Sequence, residues 1–379
     1  MAGLYVHVPF CRQKCVYCDF CSYPNRLDAA RKYFSCLKKE LTLYLAKEKK
    51  PFEIDTVFFG GGTPSAVDSP LITDFLEFVA KVCDLNGKAE ITVECNPDSA
   101  SQEKIFEFAA SGVNRLSIGL QTADDGTLKL LNRPHCLAQF ENAVGFAAAA
   151  GIDNVSADII LGLPYETPER LDRTLDTLIK VKLTHVSAYA LTVERGTRLS
   201  AMLNQKTCGG RRLVLPDEDA TADFYDAVYR RLLSAGFCRY EVSNFALKGL
   251  ECRHNLNYWR CGEYIGLGVS AHSYLHGVRR SNIKNLEKYI RALDEGRLPV
   301  VGRHRLTEKE KAYECFILGL RTEEGVDAER ISSEFNKAAD DYLRTAFELA
   351  ERGLLEKVGS RLRVPSDKFY VLNSILCEF

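Results

Sequence analysis

The sequence predicts an α/β protein: a partial (β/α)6 barrel of the TIM type, followed by a small α+β module resembling a winged helix. Three observations carry this. Short β-branched or aromatic runs recur at 4–8, 56–59, 90–94, 115–119, 155–161 and 185–190, each followed by a segment of helical or turn character. The intervening segments 28–47, 71–83 and 168–181 have the 3–4-residue apolar spacing of amphipathic helices. Buried-type strands alternating with helices imply a parallel sheet, and six units suit a curled barrel better than a short open sheet. Ligands then gather at the C-terminal ends of the strands, where the polar and glycine-rich stretches fall.

After Leu191 the regularity weakens into a charged loop through Gly209-Gly210, then a helix over 217–234. Composition changes again near Pro299, and from Leu306 the order is helix, turn, helix, helix and a hairpin over 354–364 turning on Gly359-Ser360. The expected division is a barrel core at 1–210, a barrel extension at 211–298 and a C-terminal module at 299–379.

Among 379 residues, 50 basic and 51 acidic side chains nearly cancel. No overall basic field exists to draw in nucleic acid, and the mixed charge of the C-terminal module argues against DNA binding there. Neither a signal peptide nor an uninterrupted apolar span is found, so a cytoplasmic location is expected. The 14 cysteines are too many for chance and the chain too long for a disulfide-stapled domain, which points to thiols and metal ligation. Cys36, Cys83, Cys136, Cys238, Cys315 and Cys377 lie in apolar or helical contexts and read as small buried hydrophobes.

Just past the first strand the chain reads Cys11-Arg-Gln-Lys-Cys15-Val-Tyr-Cys18-Asp-Phe-Cys21. Thiolates this close on one loop converge on a metal. Zinc sites usually take two separated ligand pairs, and ferredoxin clusters use other spacings in smaller folds. The remaining reading is a cluster with three cysteine ligands and one open iron. Here the chain resembles the radical S-adenosylmethionine superfamily, whose motif is Cys-x-x-x-Cys-x-x-Cys with an aromatic, here Tyr17, before the third cysteine. The resemblance implies a [4Fe–4S] cluster on Cys11, Cys15 and Cys18, with S-adenosylmethionine on the open iron and reductive cleavage of its carbon–sulfur bond.

Further positions join this site. Gly60-Gly61-Gly62-Thr63-Pro64 follows the second strand, where glycines allow close backbone approach and offer N–H groups to a carboxylate. By resemblance Gly61, Gly62 and Thr63 hold the methionine end. Glu94 ends the third strand and needs a partner, either the cofactor's amino or ribose groups or a barrel cation. Gln121 and Asp158 stand among core-type residues as adenosine or carboxylate contacts, and Arg133 is able to fork onto a carboxylate or else caps a solvated helix end. Tyr5 and Ala190 match cofactor-lining positions of the same family.

Over essentially the whole chain the sequence resembles the coproporphyrinogen dehydrogenase branch and, within it, the HemW-type haem chaperones. The matching stretches are Val8 to Cys11, Gly60 to Ser65, Glu94 to Pro97, Tyr240 to Ala246 and His254-Asn255-Leu256-Asn257-Tyr258-Trp259. In the chaperone group a His-Asn-x-x-Tyr motif is associated with haem, and neutral imidazole is a natural axial ligand, which makes His254 the candidate haem ligand. The same residues also fit an ordinary packed polar-aromatic loop. His7 reads as a satisfied core histidine. The dehydrogenases carry an extension ahead of the cluster that Cys11 leaves no room for. Cys21 lies three residues after Cys18, a spacing that matches neither group.

The resemblance thus implies a protein that holds haem, a [4Fe–4S] cluster and S-adenosylmethionine and delivers haem to an acceptor protein, with a reductant for the cluster. Membrane contact would come only through an acceptor. The alternative is an oxygen-independent coproporphyrinogen III dehydrogenase that removes carbon dioxide from propionates; whether the chain is an enzyme is left open by its sequence.

Overall fold

The structure, a computed structural model, describes residues 2–46, 51–205 and 213–379. Residue 47, the Gly209-Gly210 loop and the boundary expected at 210 lie outside the described residues.

Six strands pair in parallel in sequence order: β1 (Ala2–Val8), β2 (Glu53–Gly61), β3 (Asp84–Cys95), β4 (Arg115–Gln121), β5 (Asn154–Leu161) and β6 (His185–Ala190). The outer face is covered by α1 (Ala30–Leu45), α2 (Ser69–Val82), α3 (Gln102–Ala110), α4 (Leu137–Ala149), α5 (Pro168–Lys180) and α6 (Glu218–Ser234).

Each strand obeys a two-residue rule that decides the rest of the molecule. On β4, Leu116, Ile118 and Leu120 point out to the helices and are fully buried, while Arg115, Ser117, Gly119 and Gln121 form the other face. On β5 the outward set is Val155, Ala157, Ile159 and Leu161, and the other set includes Ser156 and Asp158. The helices answer with apolar stripes: Leu171, Leu175 and Leu178 on α5 are buried, and Thr167 caps its first turn by accepting the Arg170 N–H. Each such fully buried side chain stabilises by about 1.5–3 kcal/mol.

Strands β7 (Cys238–Arg239), β8 (Asn244–Ala246), β9 (Tyr264–Leu267), β10 (His272–Leu275), β11 (Val278–Asn282) and β12 (Val300–Arg305) complete a 12-stranded sheet ordered β12-β11-β10-β9-β1-β2-β3-β4-β5-β6-β8-β7. β9 runs parallel to β1 and β8 antiparallel to β6, so the first and sixth strands meet other partners and the barrel stays open. The sequence reading did not anticipate β9 to β12, because these strands are short and less regularly apolar. Since β12 pairs with β11, the main sheet runs through Arg305, and the C-terminal module starts at Leu306 rather than 299.

That module packs α9 (Glu308–Gly319), α10 (Ala328–Phe335) and α11 (Asp340–Glu351) against a three-stranded sheet formed by Val326–Asp327, Arg361–Arg363 and Glu356–Val358. Its own core includes Phe316, Ile331, Leu349 and Leu362. Arg239 joins it to the barrel: the buried guanidinium pairs with Glu323 at 2.6 Å, donates to the Ser366 carbonyl and stacks on Phe369.

Two cysteine expectations need correction. Cys238 and Cys377 are exposed, because one begins an edge strand and the other follows the final helix; Cys36 and Cys83 are buried as expected. Among the described residues no helix is long and apolar enough to cross a membrane.

Candidate functional site

The cysteine loop folds over the C-terminal mouth of the barrel because its valine is anchored. Val16 is buried against Leu131, Ile160 and Leu199, and its N–H and carbonyl are taken by the Leu131 carbonyl and the Leu199 N–H. Gln13 donates to the Asn132 carbonyl, and Asn132 donates back to the carbonyl of Lys14. With Val16 pinned, Cys11, Cys15, Tyr17 and Cys18 border one cavity of about 390 Å³, together with Gly61, Gly62, Thr63, Glu94, Gln121, Arg133, Asp158 and Ala190. Residues distant in the sequence thus share one chamber.

Among the described residues no three His, Cys, Asp or Glu side chains form a preassembled metal-ligand group. The donor chemistry nevertheless fits a thiolate-ligated cluster. Thr63 donates its hydroxyl to Cys11 Sγ at 3.4 Å, and Arg133 Nη1 donates to Cys15 Sγ at 3.5 Å. Burial, and then the neighbouring thiols, push Cys18 up from its ordinary range. Ligation by an iron–sulfur centre would offset that cost. Cys21 turns away from the chamber, its thiol donating to the Lys284 carbonyl.

Arg133 is more than a helix-end residue. Nη2 donates to Asn96 Oδ1 at 2.6 Å and to the Gly119 carbonyl at 2.8 Å, while Nε is buried without a partner. The guanidinium borders the chamber, and its planar fork suits a ligand carboxylate. Gly119 leaves room for this arrangement, since a Cβ there would lie 2.9 Å from Arg133 Nη2 and displace it. Gln121 has φ of 70°, a left-handed conformation uncommon outside glycine, at the point where β4 ends on the chamber.

The glycine loop differs from expectation in one respect. Its N–H groups are already used: Gly61 donates to Glu94 Oε2, Gly62 to the Val8 carbonyl and Thr63 to the Phe10 carbonyl. The loop is zipped to the segment carrying Cys11, so its glycines serve close approach: a Cβ on Gly62 would lie 2.7 Å from the Val8 carbonyl oxygen, and one on Gly61 2.4 Å from the His7 ring. His7 Nε2 donates to the Cys21 carbonyl and Nδ1 accepts from Tyr5.

Glu94 and Asp158 both border the chamber, and among the described residues neither makes an ion pair. Burial, followed by the proximity of Asp158, pushes Glu94 up to about 8; Asp158 is also raised by burial, although Ser117 donates to both its oxygens.

Tyr5 and His254 belong to a second chamber. Beneath the first lies a cavity of about 200 Å³ bordered by Tyr5, Phe58, Glu94, Arg115, Ser117, Asp158, Ser187, Tyr189, His254, Asn255 and Tyr258. Its floor is α7 (Arg253–Trp259), which carries the His-Asn-x-x-Tyr residues. Glu90 accepts the Arg253 N–H at 2.9 Å and the His254 N–H at 3.0 Å, capping this helix from the middle of β3. The His254 ring lies against Gly3 and Phe58. Its Nδ1 is 2.7 Å from Thr56 Oγ1 and its Nε2 is 2.8 Å from the Tyr258 hydroxyl. Burial pushes the imidazole down to about 3, so it is neutral with both nitrogens engaged. His254 therefore lies at the opposite end of the barrel from the cysteines.

Thr56, Arg115, Ser117, Ser187 and Tyr189 border these chambers or hold their walls and were missed. The signal was present as strict alternation of polar and apolar residues in 115–121 and 185–190, which a search for buried apolar strands reads past.

With this geometry in place, comparison with known proteins is decisive at the family level. The Radical SAM superfamily pattern matches residues 5–178 and the HemN C-terminal domain residues 306–367. The chain is 33% identical to the haem chaperone HemW of Bacillus subtilis, over 94% of this chain and 93% of that one. It is 36% identical to HemW of Mycobacterium tuberculosis, over 95% and 90%. The fold matches coproporphyrinogen III oxidase (HemN) of Escherichia coli with a TM-score of 0.85, at 22% identity, over 100% of this chain and 89% of that one. The chain belongs to the radical SAM superfamily and, within it, to the family of the HemW haem chaperones.

Proposed function

We propose that this protein is a cytoplasmic haem chaperone that binds haem and passes it to an acceptor protein, with a [4Fe–4S] cluster and S-adenosylmethionine in the cysteine chamber. The observation that carries this reading is similarity to HemW along nearly the full length of both chains. Cys11, Cys15 and Cys18 would ligate the cluster, which when bound supplies one electron to the sulfonium of the cofactor. Arg133 would receive a carboxylate on its guanidinium, while Gly61, Gly62 and Thr63 keep the Cys11 segment within reach. Tyr17, Gln121, Asp158 and Ala190 would border the cofactor, and Glu94 together with Tyr5 would close the chamber from below.

His254 is the proposed haem ligand. Its Nε2 becomes available once Tyr258 moves aside, so haem binding would be coupled to displacement of α7 from the barrel floor. The test is a haem titration of the reconstituted protein alongside an anaerobic assay with coproporphyrinogen III. A haem spectrum that changes in His254→Ala, with no tetrapyrrole turnover, is expected. Decarboxylation with methionine release would overturn the chaperone reading in favour of the dehydrogenase.

A further inference from the structure

Among the described residues, one arginine of the barrel interior has a guanidinium with no hydrogen-bond or ion-pair contact, although Glu90 and Asp158 lie near enough to favour its charge. Arg115 opens β4 and is 2% exposed. Among the described residues its side chain makes no ion pair or hydrogen bond, and its Nε is buried without an acceptor. A guanidinium taken out of water costs several kcal/mol unless paired. Glu90, on the same floor, is occupied by the N-terminus of α7 and by the Cys252 thiol. Arg115 borders the lower chamber, and so do Glu94 and Asp158. Register places them at different heights: Arg115 pairs with Thr92 and Asn154, Glu94 with Ser117, and Asp158 with Gly119 and Ser187. The cation therefore lies at the bottom of the chamber and the two carboxylates toward its top, at a rise of about 3.3 Å per residue along the strands.

We propose that the lower chamber is a binding site for a free α-amino acid, its carboxylate on Arg115 and its ammonium group beside Glu94 and Asp158. A chamber of about 200 Å³ admits a molecule of that size and is too small for a tetrapyrrole. A simple anion would offer nothing to Asp158 and the Glu94 carboxyl, and a simple amine nothing to Arg115; a zwitterion offers a partner to both ends. The inference rests on neither haem delivery nor cluster chemistry.

The test is thermal unfolding of the cluster-reconstituted full chain, saturated with S-adenosylmethionine, titrated separately with L-alanine, L-methionine, propionate and propylamine. At least one amino acid is expected to raise the Tm in a concentration-dependent way, while propionate and propylamine at equal concentration do not. Arg115→Met should lose the amino-acid shift. Arg115→Lys keeps the charge and tests the fork geometry, with about tenfold weaker binding expected. The proposal is overturned by no shift with either amino acid, by a shift that Arg115→Met and Arg115→Lys retain in full, or by an equal shift with propionate. A cofactor-binding failure would show separately, as no Tm response to S-adenosylmethionine.

Discussion

His254 Nε2 lies 2.8 Å from the hydroxyl of Tyr258, one turn further along the same helix. This pair makes the proposed haem ligand unavailable while α7 stays seated. Tyr258→Phe removes the competing hydroxyl. It is expected to cost about 1 kcal/mol of stability and to increase haem affinity measured by the Soret band. Lower affinity in Tyr258→Phe would show that the tyrosine supports haem binding instead of opposing it.

Glu90 holds the helix that carries this pair, through the N–H groups of Arg253 and His254. Glu90→Gln keeps the shape and removes the charge at the helix N-terminus. A loss of about 1–2 kcal/mol is expected in urea unfolding, together with faster amide exchange in α7. Unchanged exchange there would mean that the cap is dispensable.

Glu94 gives the protein a particular pH dependence. Burial and then Asp158 raise its folded pKa to about 8, against an ordinary value of 4.5. Below the lower value both folded and unfolded states hold the proton. As pH rises from 4.5 toward 8 only the unfolded chain releases it, so this contribution to stability declines across that window. Glu94→Gln should flatten the decline in denaturant melts of cofactor-free protein. A slope identical to that of the unsubstituted chain would assign the titration elsewhere.

Gly62→Ala places a methyl group 2.7 Å from the Val8 carbonyl oxygen and 2.8 Å from Pro9. The segment leading to Cys11 must shift, because both contacts are backbone. Iron content after anaerobic reconstitution is expected to fall by more than half, with circular dichroism unchanged; full iron loading would show that the loop tolerates the methyl.

Arg239 tests how the C-terminal module is held. Its pairing with Glu323 and stacking on Phe369 are buried between the two units. Arg239→Ala leaves Glu323 without its cation and is expected to cost about 3–5 kcal/mol, resolving calorimetric unfolding into two transitions. A single unshifted transition would locate the attachment elsewhere.

Much of this was legible from local sequence. The strands at 4–8 and 185–190 and the helix at 168–181 follow from apolar period and from caps such as Thr167, which act within a few residues. The cysteine spacing and the glycine run likewise identify themselves, because their chemistry is set by neighbours along the chain. The strands of 264–305 did not: each is short and irregularly apolar, and the pairing that joins them to the barrel, β9 on β1, is made with residues far away along the chain.

The three clustered thiols and the polar residues Glu94, Gln121, Arg133 and Asp158 were thus picked out from the sequence as candidates for one site, and the structure brings them to one chamber. That Tyr5 and His254 belong to a different chamber, and that the Gly61, Gly62 and Thr63 N–H groups are already taken, only the tertiary structure decided. The reason is physical: a strand's two-residue period says which side chains share a face, but height along the barrel axis comes from the register between strands. Register is a long-range property, and it separates the cysteines at the mouth from His254 and Arg115 at the floor.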